Sequence, residues 1–263
     1  MKKIAFITTL LLFLLLSKTY GQNFVGVKGG ISIPNLTDGS SQQNEINSGY
    51  SSTLGPDFAI FYSAHLSKHF LLSTQLEYAA EGGKKNGFQA IPTASLPGID
   101  QYFTAQNRPV PDVVYATYDS KAKMDYLLLS ELAKFNLPFN AKSKWSFYAE
   151  VGPFAGLLVS AHQITSGNSD IYADKSQQEN ITENTQQGPQ PFDNKENIKD
   201  DLHKGNFGVE GDVGFALNYG KGNLFIEGGG NYGFLNIQKG TANGKNHIGA
   251  GTVRLGYAFK IEK

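Results

Sequence analysis

The sequence predicts an all-β protein, an eight-stranded antiparallel up-and-down transmembrane β-barrel with short periplasmic turns and long extracellular loops. Three observations lead there. Apolar residues recur with period two in eight segments, and helical periodicity is scarce. The connections between the segments alternate in length. Within each segment the apolar residues share one face, and charges and glycines share the other.

The first three segments are Asn23 to Ile33 (NFVGVKGGISI), Asp57 to Leu66 (DFAIFYSAHL) and Phe70 to Gly82. The fourth runs from about Lys123 to Phe135. Its core, Leu127 to Phe135 (LLLSELAKF), is rich in helix formers, and only its neighbours make it a strand. Glu131 and Lys134 have opposite parity there, so one of them faces lipid, lies near a rim or sits at a bulge. The fifth segment runs from Trp145 to about Ile164. The last three are Asn206 to Tyr219, Asn223 to Ile237 and His247 to Ile261.

Residues 34–56, 83–122 and 165–205 form long connections, whereas Ser67-Lys68-His69 and Gly220-Lys221-Gly222 are tight turns. The fourth and fifth segments are joined by a short link around Pro138. A soluble barrel has no reason to gather its short turns at one end. An outer-membrane barrel does, with short periplasmic turns and longer outside loops.

The faces give the same reading. Phe207, Val209, Val213, Phe215 and Leu217 alternate with Asn206, Gly208, Glu210, Asp212 and Gly214. Val253, Leu255, Tyr257 and Phe259 alternate with Thr252, Arg254, Gly256 and Ala258. Small residues beside charges suit a narrow interior in which side chains fill the space. Lys28, Glu77, Glu150, Glu210, Asp212, Glu227 and Arg254 then point into the lumen. Charges sheltered from water must be paired or neutralised, so Lys28 and Arg254 are expected to bridge several carboxylates. Tyr62, Phe70, Phe135, Trp145, Tyr219, Phe225, Tyr257 and Phe259 lie near strand ends, as aromatic girdles require. An ordinary β-sandwich is the plainer reading of the same aromatics.

Composition narrows the function. The chain has 263 residues, with 23 basic and 23 acidic side chains and no cysteine. This excludes a disulfide scaffold, a thiolate metal site and a cysteine nucleophile. It gives no basic excess for nucleic acid. A mean hydropathy of −0.30 argues against a helical membrane bundle, but half of each barrel strand faces the lumen, so it does not argue against strands in a membrane. Lys2, Lys3 and the apolar run Ile4 to Leu16, ending at Gly21, read as a secretory signal peptide. That run is shorter than the roughly 20 residues that span a bilayer. The expected organisation is a signal peptide, 1–21, followed by one barrel domain, 22–263.

Four segments carry a family resemblance. They are FVGVKGGISI (Phe24 to Ile33), LLSTQLEYAAEGGKK (Leu71 to Lys85), FYAEVGPFAGLL (Phe147 to Leu158) and VRLGYAFK (Val253 to Lys260). In this order and spacing the chain resembles the PorT-like outer-membrane β-barrel proteins. The resemblance implies an outer-membrane location in a Gram-negative cell and, for some relatives, a link to protein secretion. It brings no catalytic residue. Such proteins often carry a proline in the fourth strand, where this chain has Ser130.

Other motifs weigh less. Gly228 to Gly233 matches G-x-G-x-x-G, but a dinucleotide site needs a helix to open there, and Phe234 to Ile237 reads as continued strand. His65 and His69 are four apart without further zinc ligands. His162 and His203 flank the third loop with serines near, yet no nucleophile elbow accompanies them. We therefore expect no catalytic, cofactor or metal residues. The second loop, 83–122, is aromatic and proline-rich, and it should pack on itself or on a partner. The third, 165–205, is rich in Asn and Gln and acidic. Its end reads as a short helix, with Asn194 as cap, Ile198 and Leu202 four apart, and Gly205 as stop. The expected protein is a non-enzymatic, monomeric barrel bathed in outer-membrane lipid, with an envelope or secretion-system protein as its partner. The alternatives are a small-solute channel and a soluble lipocalin-like carrier.

Overall fold

Inside a bilayer every backbone N–H and C=O must find a partner within the protein, so a spanning strand needs a neighbour on both sides. The computed structural model, which describes residues 22–38, 45–46, 48–240 and 244–261, meets this by closure. The segment expected to be a signal peptide, 1–21, lies outside the described residues. Eight strands form the ring: β1 (Asn23–Pro34), β2 (Gly55–His65), β3 (Phe70–Pro92), β4 (Val113–Pro138), β5 (Trp145–Ser166), β6 (Gly205–Tyr219), β7 (Gly222–Gly233) and β8 (Gly249–Ile261). Each pairs antiparallel with the next, and β8 returns to β1 through Val27↔Tyr257 and Gly30↔Arg254. None of the described helices is long and apolar enough to cross a membrane.

The outward rows are apolar. Val25, Val27, Ile31, Phe58 and Ile60 are exposed on β1 and β2, and Val253, Leu255 and Phe259 on β8. A soluble barrel would reverse this arrangement. Phe70, Phe135, Trp145, Tyr219 and Phe259 project outward near strand ends. Phe225 is a correction. It is buried in the lumen, edge-on to Phe61 and Tyr148, because its parity on β7 matches that of inward Glu227.

Two hairpin strands are longer than their alternation suggests. β3 and β4 remain paired as far as Pro92↔Val113, so most of 83–122 is a hairpin standing above the barrel. Gly82, with φ +127°, lies where this hairpin leaves the wall. A Cβ there would collide with the Ala122 carbonyl oxygen, so this junction requires glycine. The hairpin tip carries a 3-10 turn, Thr93–Ser95, and α1 (Ile99–Ala105).

The third loop contains a further correction. Asn194–Asn197 is a short strand on β5, followed by a 3-10 turn at Lys199–Asp201, and Gly205 opens β6. The helix in this loop is instead α2 (Ile181–Asn184), capped by the Asn180 side chain. Ile198 and Leu202 turn into the barrel mouth, where buried Leu202 meets Ile237, Ile248, Leu158 and Tyr126. The seventh strand ends at Gly233, so Phe234 to Ile237 leave the wall and Ile237 joins the same plug.

Candidate functional site

The lumen is built in three layers. At the periplasmic end Phe61, Tyr148, Ala216, Phe225 and Ala258 form an apolar layer. At the outer end Leu36, Met124, Tyr126, Leu128, Phe154 and Leu158 form another, closed by Leu202 and Ile237 from the outer connections. Between them lies a buried layer of charge.

The structure places all seven sequence-chosen residues in that layer. Arg254 is its hub. Nη1 donates to Glu77 Oε2 at 2.7 Å, and Nη2 donates to Glu210 Oε1 at 3.2 Å and Asp212 Oδ1 at 3.1 Å. Nε lies 3.4 Å from Glu227 Oε1. Lys28 Nζ donates to Glu227 Oε1 at 2.7 Å and lies 3.6 Å from Glu150 Oε1. Arg254 enters the lumen beside Gly30, which has no side chain there. Gly30 pairs with Arg254 on one side and with Asp57 on the other, and a Cβ there would strike the Val253 carbonyl oxygen.

Sequence reasoning left several members out. Asp57, fully buried, lies 3.7 Å from Arg254 Nη1. Its inward parity with Ala59 and Phe61 was the available signal. Glu81 is buried beside Asn231. Lys134 turns inward, 3.0 Å from Glu150 Oε2 and over the Tyr148 ring, and Tyr148 donates to Glu227 Oε2 at 2.6 Å. Ser130 also faces inward and donates to Glu210 Oε2 at 2.6 Å, as does Gln75 to Oε1. The seven buried carboxylates Asp57, Glu77, Glu81, Glu150, Glu210, Asp212 and Glu227 outnumber Lys28, Lys134 and Arg254.

Glu150, Asp212 and Glu227 each bring an oxygen within 4.8 Å of the others, a spacing suited to a hard cation. Lys28 Nζ already serves all three. Among the described residues no helix opens after Gly233 to hold a nucleotide. His162 lies 3.4 Å from Ser160 on its own strand, while His65 and His69 bind backbone carbonyls of Gln22 and Asn136.

The outer loops form a second assembly. Ile99 and Phe103 of α1, Val114 of β4, and Ile171 and Ile181 of the third loop share a core. Arg108 clamps the two loops by donating through both guanidinium nitrogens to Glu179. These bonds hold the Glu179 carboxyl below its usual range. Beside this core a cavity of about 340 Å³ opens at the barrel mouth, with Tyr50, Gln89, Tyr118, Gln163 and Gln238 in its walls. A folded pKa below the unfolded one gives stability that is present at neutral pH and lost as pH falls through the folded value. Protease protection of residues 99–108 and 170–184 should therefore fade in acid. Arg108→Ala should weaken it modestly at neutral pH, since an exposed ion pair contributes little beside the shared apolar core, while leaving barrel folding intact, as limited proteolysis would show.

The family described as outer membrane protein beta-barrel domain matches residues 20–239. The chain belongs to the outer membrane protein beta-barrel domain family. It is therefore an outer-membrane protein, and the ring of eight strands is this family member's transmembrane wall. Three solved structures are similar to the chain. The attachment invasion locus protein Ail of Yersinia pestis, solved with the heparin analogue sucrose octasulfate, is 11% identical, with a TM-score of 0.37 over 91% of this chain and 100% of that one. OprG of Pseudomonas aeruginosa is 10% identical, with a TM-score of 0.36 over 92% and 97%. Neisserial surface protein A is 9% identical, with a TM-score of 0.34 over 90% and 97%. No curated protein matches the chain.

Proposed function

We propose that this outer-membrane barrel is a non-enzymatic interaction component of the envelope, a plugged wall that holds a folded loop assembly at the cell surface. The observation that carries this reading is the contrast between its two parts. An apolar plug closes the outer end of the lumen, and the space among Lys28, Gln75, Lys134 and Glu150 has no room for water, although the periplasmic apolar residues line a cavity of about 80 Å³. The loops, by contrast, share a core and surround an open cavity. Binding by loops on a rigid scaffold is the common use of such a design. The PorT-like segments extend the proposal to a partner in protein secretion, and the leader to export with cleavage after Gly21.

Solute conduction is the competing reading, and the plugged lumen weighs against it. Purified protein in planar bilayers should give conductance no higher than protein-free bilayers. Stable single-channel steps would overturn the proposal. On intact cells, an impermeant crosslinker should join an exposed loop lysine such as Lys175 to a discrete protein. That adduct should disappear when residues 93–112 are replaced by a short turn. Failure to find any loop-dependent adduct would also count against it.

A further inference from the structure

We propose that the outer wall around Glu131 is a docking face within the bilayer for a membrane-spanning segment of another envelope protein, one that brings a lysine or arginine to mid-bilayer depth. The outward row of β4 reads Leu127, Leu129, Glu131, Ala133, Phe135 and Leu137. With the usual strand rise and tilt, a row of this length matches the apolar band of about 25 Å, and Glu131 stands at its centre. Glu131 is half-buried in the wall: Thr74, outward on β3, donates to its Oε2 at 2.8 Å, while Oε1 is covered by the protein's own atoms and has no hydrogen-bond partner. Below Asp125 and Lys123, which end the apolar run, Glu131 is the one acidic or basic side chain among the described outward positions of the wall. Hydrocarbon solvates neither form of a carboxyl group well, and ionisable groups at this depth mark functional contacts.

The neighbouring surface is shaped for a protein. Just periplasmic of Glu131 the wall sinks into an apolar concavity of about 540 Å³, floored by Ala133, Ala149, Gly211 and Gly228 and bordered by Phe135. Small residues at a membrane-embedded face let another backbone approach closely. Charge complementarity selects the occupant. A second copy of this chain has no base at that depth on its described outward rows, so it would set carboxyl against carboxyl. Lipid headgroups remain at the interfaces. A basic residue on a partner's span satisfies Glu131 without leaving the bilayer.

The inference requires only that the barrel crosses the membrane and is independent of the loop reading. The test places a photocrosslinking amino acid at exposed Val151, in the concavity, in cells expressing the full chain. One discrete protein adduct is expected, and its crosslinked peptide should map to a membrane-spanning segment bearing Lys or Arg. Glu131→Leu should cut its yield at least tenfold while the barrel keeps its heat-dependent gel mobility. Glu131→Gln, which preserves shape, reads the same loss should leucine disturb folding. Glu131→Lys combined with acidic replacement of the partner's base should restore the adduct. The inference is overturned by an adduct with the mass of two copies, a yield indifferent to residue 131, a span without a base, or no protein adduct.

Discussion

Arg254→Leu should destabilise the barrel more than any other single substitution in the lumen. The side chain is almost wholly buried and serves Glu77, Glu210 and Asp212 directly, with Asp57 and Glu227 close by. Removing one partner of a buried ion pair leaves uncompensated charge and costs about 3–5 kcal/mol. Here a single deletion strands several carboxylates. The measurement is the urea midpoint of the protein refolded into lipid vesicles, followed by heat-dependent gel mobility. Arg254→Lys should fall between wild type and leucine, because one ammonium cannot replace a guanidinium with donors in several directions. The deficit should shrink in acid, where protonated carboxyl groups no longer need a cation. Leu255→Val, on the lipid side of the same strand, should be close to neutral. An unchanged midpoint for Arg254→Leu would remove the ion network from any account of this fold's stability.

Lys28→Met should have the second-largest effect, with a distinguishing feature. Lys28 Nζ sits among Glu150, Asp212 and Glu227, whose oxygens lie within 4.8 Å of one another. That is about twice a Ca²⁺–oxygen distance. Methionine fills much of the lysine's volume but leaves the carboxylates facing each other. Refolding Lys28→Met in millimolar Ca²⁺ should therefore recover at least half of the lost stability, because a ligand that binds only the folded state stabilises it by mass action. Wild type, with the ammonium in place, should not respond. Equal gains for both proteins, or none for the variant, would show that Lys28 does not occupy a cation's place.

Much of the barrel was legible because its two solvents differ. Lipid outside and packed charge inside impose period two on β6, β7 and β8, and the parity of Lys28, Glu77, Glu210 and Arg254 follows from it. The same physics explains where reading failed. Above the membrane both faces of the β3–β4 hairpin meet water or loop, so Lys84, Lys85 and Lys121 break the alternation while backbone pairing continues. Ile198 and Leu202 have helical spacing, but what they satisfy is the apolar mouth of a barrel, a demand set by distant Tyr126 and Leu158. Phe225 followed the lumen's parity, not the strand-end position that suggested a girdle. The Glu131 and Lys134 ambiguity had no local answer. Pro153, which cannot donate, lies opposite a gap in the β4–β5 register at Glu131 and Leu132, and only the assembled wall shows that Lys134 takes the inward place.

The distribution of charge along the chain bears on how the barrel is completed. Lys28 lies on β1 and Arg254 on β8, the two strands whose seam closes the ring. The carboxylates they serve lie on β2, β3, β5, β6 and β7. Pairing the ends of the chain is the least local contact in the fold and pays the largest loop-closure entropy. An open sheet therefore holds a stripe of acid in its interior with both main counter-charges at its free edges. Closing the seam brings a cation to that stripe from each side at once. Completion is thus coupled to ion pairing, and an unfinished or misregistered barrel is left with acid that lacks its two main cations.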